Sequence, residues 1–156
     1  MRILVALAAV LLVACGSTGG ASACPNALPA DVAGQGQACG AAGHLAETLS
    51  TDQRTYAPGT TIVITLTATN TSSEGCVAPS ACPPLPVVID DATGRQAWAP
   101  PNVRQVCPAL ARLLRPGESA TYTVKTDGLT LGAGIYSATG NAANAAAYGR
   151  YSFTIC

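Results

Sequence analysis

The stretch TTIVITLTATN at residues 60–70 constrains the fold most. Ile62, Ile64, Leu66 and Ala68 fall on one side of a period-two pattern, and Val63, Thr65, Thr67 and Thr69 on the other. A helix would scatter these residues around its circumference, whereas a half-buried strand sorts them onto two faces. Branching at Cβ also favours the extended backbone. SATYTVKT at 119–126 repeats the pattern, with Ala120, Tyr122 and Val124 inward. GIYSATG at 134–140 and RYSFTIC at 150–156 follow, with Tyr151, Phe153 and Ile155 sharing a face. HLAETLS at 44–50, PVVID at 86–90 and RQAW at 95–98 are shorter candidates. Pro58-Gly59, Asp91-Ala92-Thr93-Gly94 and Pro116-Gly117 punctuate them as turns. PALARLL at 108–114 is the one helical hint. About seven short strands between Gly and Pro turns predict an all-β chain, an antiparallel β-sandwich of the immunoglobulin-like kind. Leu85 to Ile89 and the single Trp98 are expected in its core. Gly134-Ile135-Tyr136 has the form of a tyrosine corner, in which the phenol hydroxyl caps a nearby backbone group.

The first residues do not belong to that pattern. Met1-Arg2 is a short positive start, and Ile3 to Ala14 is an unbroken apolar run. The run suits the apolar region of an export signal and is short of the ~20 residues that span a bilayer. Residues 1–14 are therefore expected to be a signal peptide and 15–23 a Gly/Ser-rich tether. Residues 24–43 read as a loop-rich lead-in, and 44–156 as the β-domain.

Seven cysteines are present, an odd number for an exported chain. If Cys15 is set apart, then Cys24, Cys39, Cys76, Cys82, Cys107 and Cys156 are candidates for three disulfides in an oxidising compartment. Cys24 and Cys39 could close the lead-in on itself. If all six pair, at least one bridge must join the group 24, 39 and 156 to the group 76, 82 and 107, because each group holds three. Zinc is disfavoured. Its sites need close cysteine pairs with further ligands, whereas Cys76 and Cys82 are separated by five residues and there is one histidine.

Leu12-Val13-Ala14-Cys15 resembles the lipobox of bacterial lipoproteins. That resemblance implies acylation of the Cys15 sulfur, cleavage before it, and anchoring of the exported chain to the cell membrane or outer membrane. Stable anchoring needs two or more acyl chains. The tether of Gly16 to Ala23 would then span ~16 Å on average. Ala21-Ser22-Ala23 offers a second cleavage pattern, which would release the chain without Cys15.

TYAPGTTIVITLTATNTS, IDDATGRQAW, LLRPGESATYTV and GAGIYSATG occur in that order. Together they resemble the bacterial intracellular proteinase inhibitor domain and its exported relatives. The resemblance covers about Ser50 to Gly140 and implies an immunoglobulin-like sandwich. Its motifs are turn and core residues, so they speak to fold more than to activity.

The chemistry-bearing residues do not converge in sequence. Without Arg2, seven basic residues face eight acidic ones, so no electrostatic footprint for nucleic acid exists. His44, the only histidine, starts a strand beside a Gly-Ala loop and is expected at the surface or satisfied by its neighbours. Asp90 and Asp91 are strand neighbours and so point to opposite faces, unlike the converging carboxylates of a glycosidase. A hydrogen-bonded turn is their expected role, with calcium there as a weak alternative. Asn70-Thr71-Ser72 has the form of a glycosylation acceptor and reads more simply as the end of a strand. Arg104, Arg112 and Arg115 cluster around Cys107 as a candidate partner surface, with Glu118 expected to balance them. The expectation is a non-enzymatic domain without cofactor or metal, held to the membrane by lipid. It would bind a protein or envelope component through the loops at 71–84 and 99–117. Inhibition of an extracellular protease by such a loop is the alternative.

Overall fold

The computed structural model describes residue 24 and residues 27–39, 43–78, 87–101, 112–126, 130–140 and 149–156. These residues are all-β, with no helix among them. The strands are β1 (Gly34–Cys39), β2 (Gly43–Thr51), β3 (Thr55–Tyr56), β4 (Val63–Asn70), β5 (Cys76–Val77), β6 (Val87–Asp91), β7 (Gln96–Trp98), β8 (Leu113–Leu114), β9 (Ser119–Lys125), β10 (Gly134–Gly140) and β11 (Gly149–Ile155).

Two sheets carry the fold. One has the order β1-β2-β4-β9, and the other β3-β11-β10-β6-β7. All pairs are antiparallel except β3 on β11, which is parallel. The chain crosses from the first sheet to the second between β2 and β3, returns at β4, and crosses again between β4 and β6. That alternation makes an immunoglobulin-like sandwich. A small ribbon, β5-β8, lies outside both sheets.

The alternation in β4 is obeyed residue by residue: Ile64, Leu66, Ala68 and Asn70 are buried, and the residues between them are half-buried. β9 buries Ala120 and Tyr122. Phe153 on β11 is fully buried, with Tyr56 edge-on at 5.7 Å and Tyr136 stacked at 5.9 Å between ring centroids. Aromatic pairs in these arrangements add to the burial itself. Val87 and Ile89 join the core, and Trp98 packs against it while half-buried. The Tyr136 hydroxyl donates to the Gly132 carbonyl at 3.1 Å, the expected corner.

Three expectations are corrected. The lead-in is not all loop: β1 pairs with β2 from Gly34 opposite Glu47 to Cys39 opposite Gly43. An edge strand is held by backbone hydrogen bonds, so GQGQAC needs no apolar alternation to pair. Cys24 does not bond Cys39. The bridges are Cys24–Cys156 and Cys39–Cys76, with Cα atoms 5.5 and 5.3 Å apart. β1 carries Cys39 up the edge of the sheet, away from Cys24. The second bridge does join the two cysteine groups. The end of the supposed helix, Leu113–Leu114, is strand β8, and 108–111 lie outside the described residues. Cys15, Cys82 and Cys107 also lie outside them. Disulfides of this kind belong to an oxidising, exported environment.

The sandwich has two poles about 23 Å apart, the length of β4. At one pole lie Thr51, Val63, Lys125, Gly134 and Ile155, the ends of their strands. Cys156 follows there, with its amide on the Tyr56 carbonyl at 2.9 Å. Its bridge ties Cys24 to this stem pole. From there the lead-in climbs the edge of β11, where Val32 and Arg150 exchange two backbone hydrogen bonds of 2.8 and 2.7 Å. Asp31 is clamped on the way. Its carboxylate forms a bidentate ion pair with Arg54 and accepts the Ser152 amide at 3.0 Å. Burial pushes the Asp31 carboxyl up, but these hydrogen bonds outweigh it and hold the group below the ordinary carboxylate range. The Arg54 guanidinium also stacks over Tyr151, 4.1 Å from the ring centroid.

Candidate functional site

At the opposite pole lie the strand ends Asn70, Val87, Ser119, Gly140 and Gly149. Asn70 organises the part that is described. It ends β4, is fully buried, and uses both ends of its amide. Its Nδ2 donates to the Glu74 carbonyl at 2.7 Å and the Leu114 carbonyl at 3.0 Å. Its Oδ1 accepts from the Ser72 amide at 2.9 Å and the Ser72 hydroxyl at 2.7 Å. Its backbone carbonyl receives Gly117 N at 2.8 Å. One side chain thus ties the turn after β4 to the segment between β8 and β9. A fully buried amide with both N–H groups spent on backbone carbonyls is no sugar acceptor, so the strand-end reading of Asn70-Thr71-Ser72 is the one that fits.

Arg115-Pro116-Gly117-Glu118 is a tight turn closed by Glu118 N on Arg115 O at 2.9 Å. Proline presets the second position, and Gly117 takes φ of 78° at the third, where a side chain would be strained. The turn folds Glu118 back. Its carboxylate accepts the Arg115 amide at 2.9 Å and the Arg112 guanidinium at 2.8 Å. These two contacts, the amide first, hold the Glu118 carboxyl below the ordinary range. Arg112 is therefore balanced as the sequence suggests. Among the described residues the Arg115 guanidinium has no ion pair. Arg104 lies outside them.

Beside these charges sits the ribbon. Neighbours on a strand face opposite ways, so Leu114 is fully buried while Leu113 is 62% exposed. Its cross-strand partner Val77 is 44% exposed. The Cys39–Cys76 bridge fixes the ribbon to the edge of the β1-β2-β4-β9 sheet. Leu113, Arg115, Pro116, Gly117 and Glu118 border a shallow, open hollow of about 570 Å3. Among the described residues, an exposed apolar pair, a guanidinium without an ion pair and a rigid turn thus share this end of the molecule.

The remaining candidates are dispersed. His44 is half-buried on β2 and serves through its carbonyl, which accepts the Thr71 hydroxyl at 2.7 Å. Asp90 points outward from β6 and accepts the Thr139 hydroxyl at 2.6 Å. Asp91 caps the β6–β7 hairpin, taking the Thr93 hydroxyl at 2.6 Å and the Thr93 and Arg95 amides at 2.9 and 3.0 Å. The Thr93 hydroxyl foremost, then the Arg95 amide, pulls the Asp91 carboxyl down to about 2. This is the hydrogen-bonded turn that the adjacent acids suggest. Among the described residues no group of three or more His, Cys, Asp or Glu side chains could hold a metal ion. No helix among them is long and apolar enough to cross a membrane.

Sequence reasoning singled out Arg112 and Arg115 but missed Asn70 as the hub and the Asp31–Arg54 clamp. The Asn-Thr end of β4 followed by a Pro-Gly-Glu-Ser turn was the only available signal for the hub. The clamp joins residues 23 apart and had none. No protein-family model matches the chain, and no curated protein matches it.

Proposed function

We propose that this chain is a lipid-anchored, non-enzymatic display domain of the bacterial envelope. Cys15 is the acylated residue, 16–23 are the tether, and the loop pole binds a protein or envelope component. The polar layout of the fold carries the reading. Cys24, the first residue after the tether, is bonded to Cys156 at the stem pole. The turn after β4, the β5-β8 ribbon and Arg115 lie at the other end. A stem fixed at one pole leaves the other facing away from the membrane. The resemblance to exported relatives of the proteinase inhibitor domain supports the same reading.

Two measurements test it. Cys15→Ser is expected to move the protein from the detergent phase to the aqueous phase on phase separation. A variant that stays with detergent like the parent overturns the anchor. For binding, the parent and Arg115→Glu are used to capture partners from the native envelope. A partner held by the parent and lost by the variant supports the loop pole, and identical captures overturn it. A captured protease whose activity the parent blocks would turn the reading to inhibition.

A further inference from the structure

A second polar surface lies on the outer face of the β3-β11-β10-β6-β7 sheet. Register sets its side chains in two rows. Val88, Thr139 and Arg150 lie opposite one another across β6, β10 and β11, and Asp90, Ser137 and Ser152 form the next row. The lead-in raises one wall at Pro29, and the β6–β7 hairpin raises another at Asp91 to Gly94. Between them is a depression of about 430 Å3, within the range of small-molecule sites.

The donors and acceptors in it are not used up by the fold. Asp90 spends one carboxylate oxygen on the Thr139 hydroxyl, and its Oδ1 has no partner among the described residues. Arg150 is exposed; its guanidinium contacts the Ala30 carbonyl at 3.5 Å, lies in the field of the Asp31 carboxylate, and has no ion pair among the described residues. The Ser137 hydroxyl lines the depression and lies 3.4 Å from that of Ser152, which is fully buried beneath it. Ile135 and Pro29 supply apolar surface beside them. β10 is paired on both sides, so its backbone has nothing left for an added strand. Asp91 also lines the depression but is spent on its own turn, so recognition here has to run through hydroxyls, the Asp90 carboxylate, one guanidinium and a small apolar patch.

From this we infer that the face binds an acidic saccharide. Asp90 would accept from sugar hydroxyls, Ser137 and Thr139 would complete that network, and Arg150 would pair with the sugar's carboxylate. Pro29 and Ile135 would carry the C–H side of a ring. A charged hydrogen bond of this kind contributes more than a neutral one. The inference is independent of the loop pole and of the lipid.

The test uses the full chain in detergent micelles with two probes, the disaccharide glucuronosyl-β1,4-glucose and its neutral counterpart cellobiose. Calorimetry is expected to show the acid binding about tenfold tighter than cellobiose, the worth of one such contact. Arg150→Gln should erase that preference, and Asp90→Asn should weaken both sugars about tenfold. Thr139→Val, which leaves both charges in place, should weaken both less. Unchanged thermal melting of the three variants shows that the fold is intact. Absence of binding by either probe overturns the inference, as does equal affinity for the two. Binding that survives both charge substitutions also overturns it. Competition by triglutamate as strong as by the acid sugar means that the face reads charge alone, and the saccharide assignment fails.

Discussion

Asn70 holds two segments with a single buried amide, and removing it strands partners on both. Asn70→Ala leaves the Leu114 carbonyl and the Ser72 amide without their side-chain partner, while the Glu74 carbonyl keeps the Ser72 hydroxyl. Buried polar groups left unsatisfied cost ~1–3 kcal/mol each, less whatever water recovers. The expected loss is about 2–4 kcal/mol, read from the denaturant midpoint at unchanged slope. Asn70→Asp should cost at least as much, because a carboxylate would face two carbonyl oxygens. Tyr56 sets a second prediction at this scale. Its hydroxyl donates to Asp52 Oδ1 at 2.7 Å and accepts the Gln53 amide at 2.9 Å. Burial foremost, with the neighbouring Asp52 carboxylate also opposing a second negative charge, pushes the phenol up to about 12. The unfolded chain releases this proton near pH 10, before the folded one does. The contribution of Tyr56 is therefore complete below about pH 10 and lost as pH rises toward 12. Equilibrium unfolding between those values should show a slope that Tyr56→Phe removes.

Among the elements, legibility followed side-chain pattern. β4 and β9 were readable because each has one face in the core, and a period of two in sequence is what such a strand requires. GIYSATG coincides with β10, residue for residue. β1 was not readable: a Gly/Gln/Ala strand at an edge pairs by its backbone, which every sequence has. The β5-β8 ribbon was hidden for a related reason, since two-residue strands carry no period. LLRPG read equally as a helix end or as a strand before a turn. The bridges were bounded by parity but not assigned, because Cys39 and Cys76 meet only after β1 and β5 are placed. That bridge makes the ribbon's stability testable. Replacing both cysteines by serine frees a loop of 37 residues, at a cost of about 4 kcal/mol by chain entropy. The effect should be local first. Amide exchange at Ala78 and Leu114 is expected to speed up before that of β4 or β10. Uniform acceleration across both sheets would show that the ribbon is part of the global unfolding unit.

The whole molecule is a sandwich with its ends differentiated. Phe153, the single phenylalanine, sits between Tyr56 and Tyr136 and joins β3, β10 and β11 in one core. The lead-in then covers the edge of β11 and continues as the edge of the other sheet beside β2. It closes the seam between the sheets, with a clamp at Asp31 and a bridge at each end. Nothing in GQGQAC predicts this, because the seam exists only once β2 and β11 have come together. Near-neutral charge and sparse ionic residues fit a surface solvated by the Thr and Ser of outward strand faces.

The bridge from Cys24 to Cys156 has one more consequence. Its cysteines stand 132 positions apart, so everything between them is a covalent ring. A linear domain on a membrane stem is shed when a protease cuts it once below its folded part. In a ring, one cut at any peptide bond between residues 24 and 156 opens the circle and releases nothing. Shedding then requires a cut in the short tether, two cuts, or a reductant. Limited proteolysis of the full chain to a single nick should give one species on non-reducing gels and two fragments after reduction. With Cys24 and Cys156 changed to serine, the same nick in an exposed loop, once denatured, should yield two fragments without reduction. Only the Cys39–Cys76 bridge then remains among those described, and it spans cuts between those two residues alone. With the anchor proposed above, a chain so closed can be nicked by its surroundings and still be retained whole.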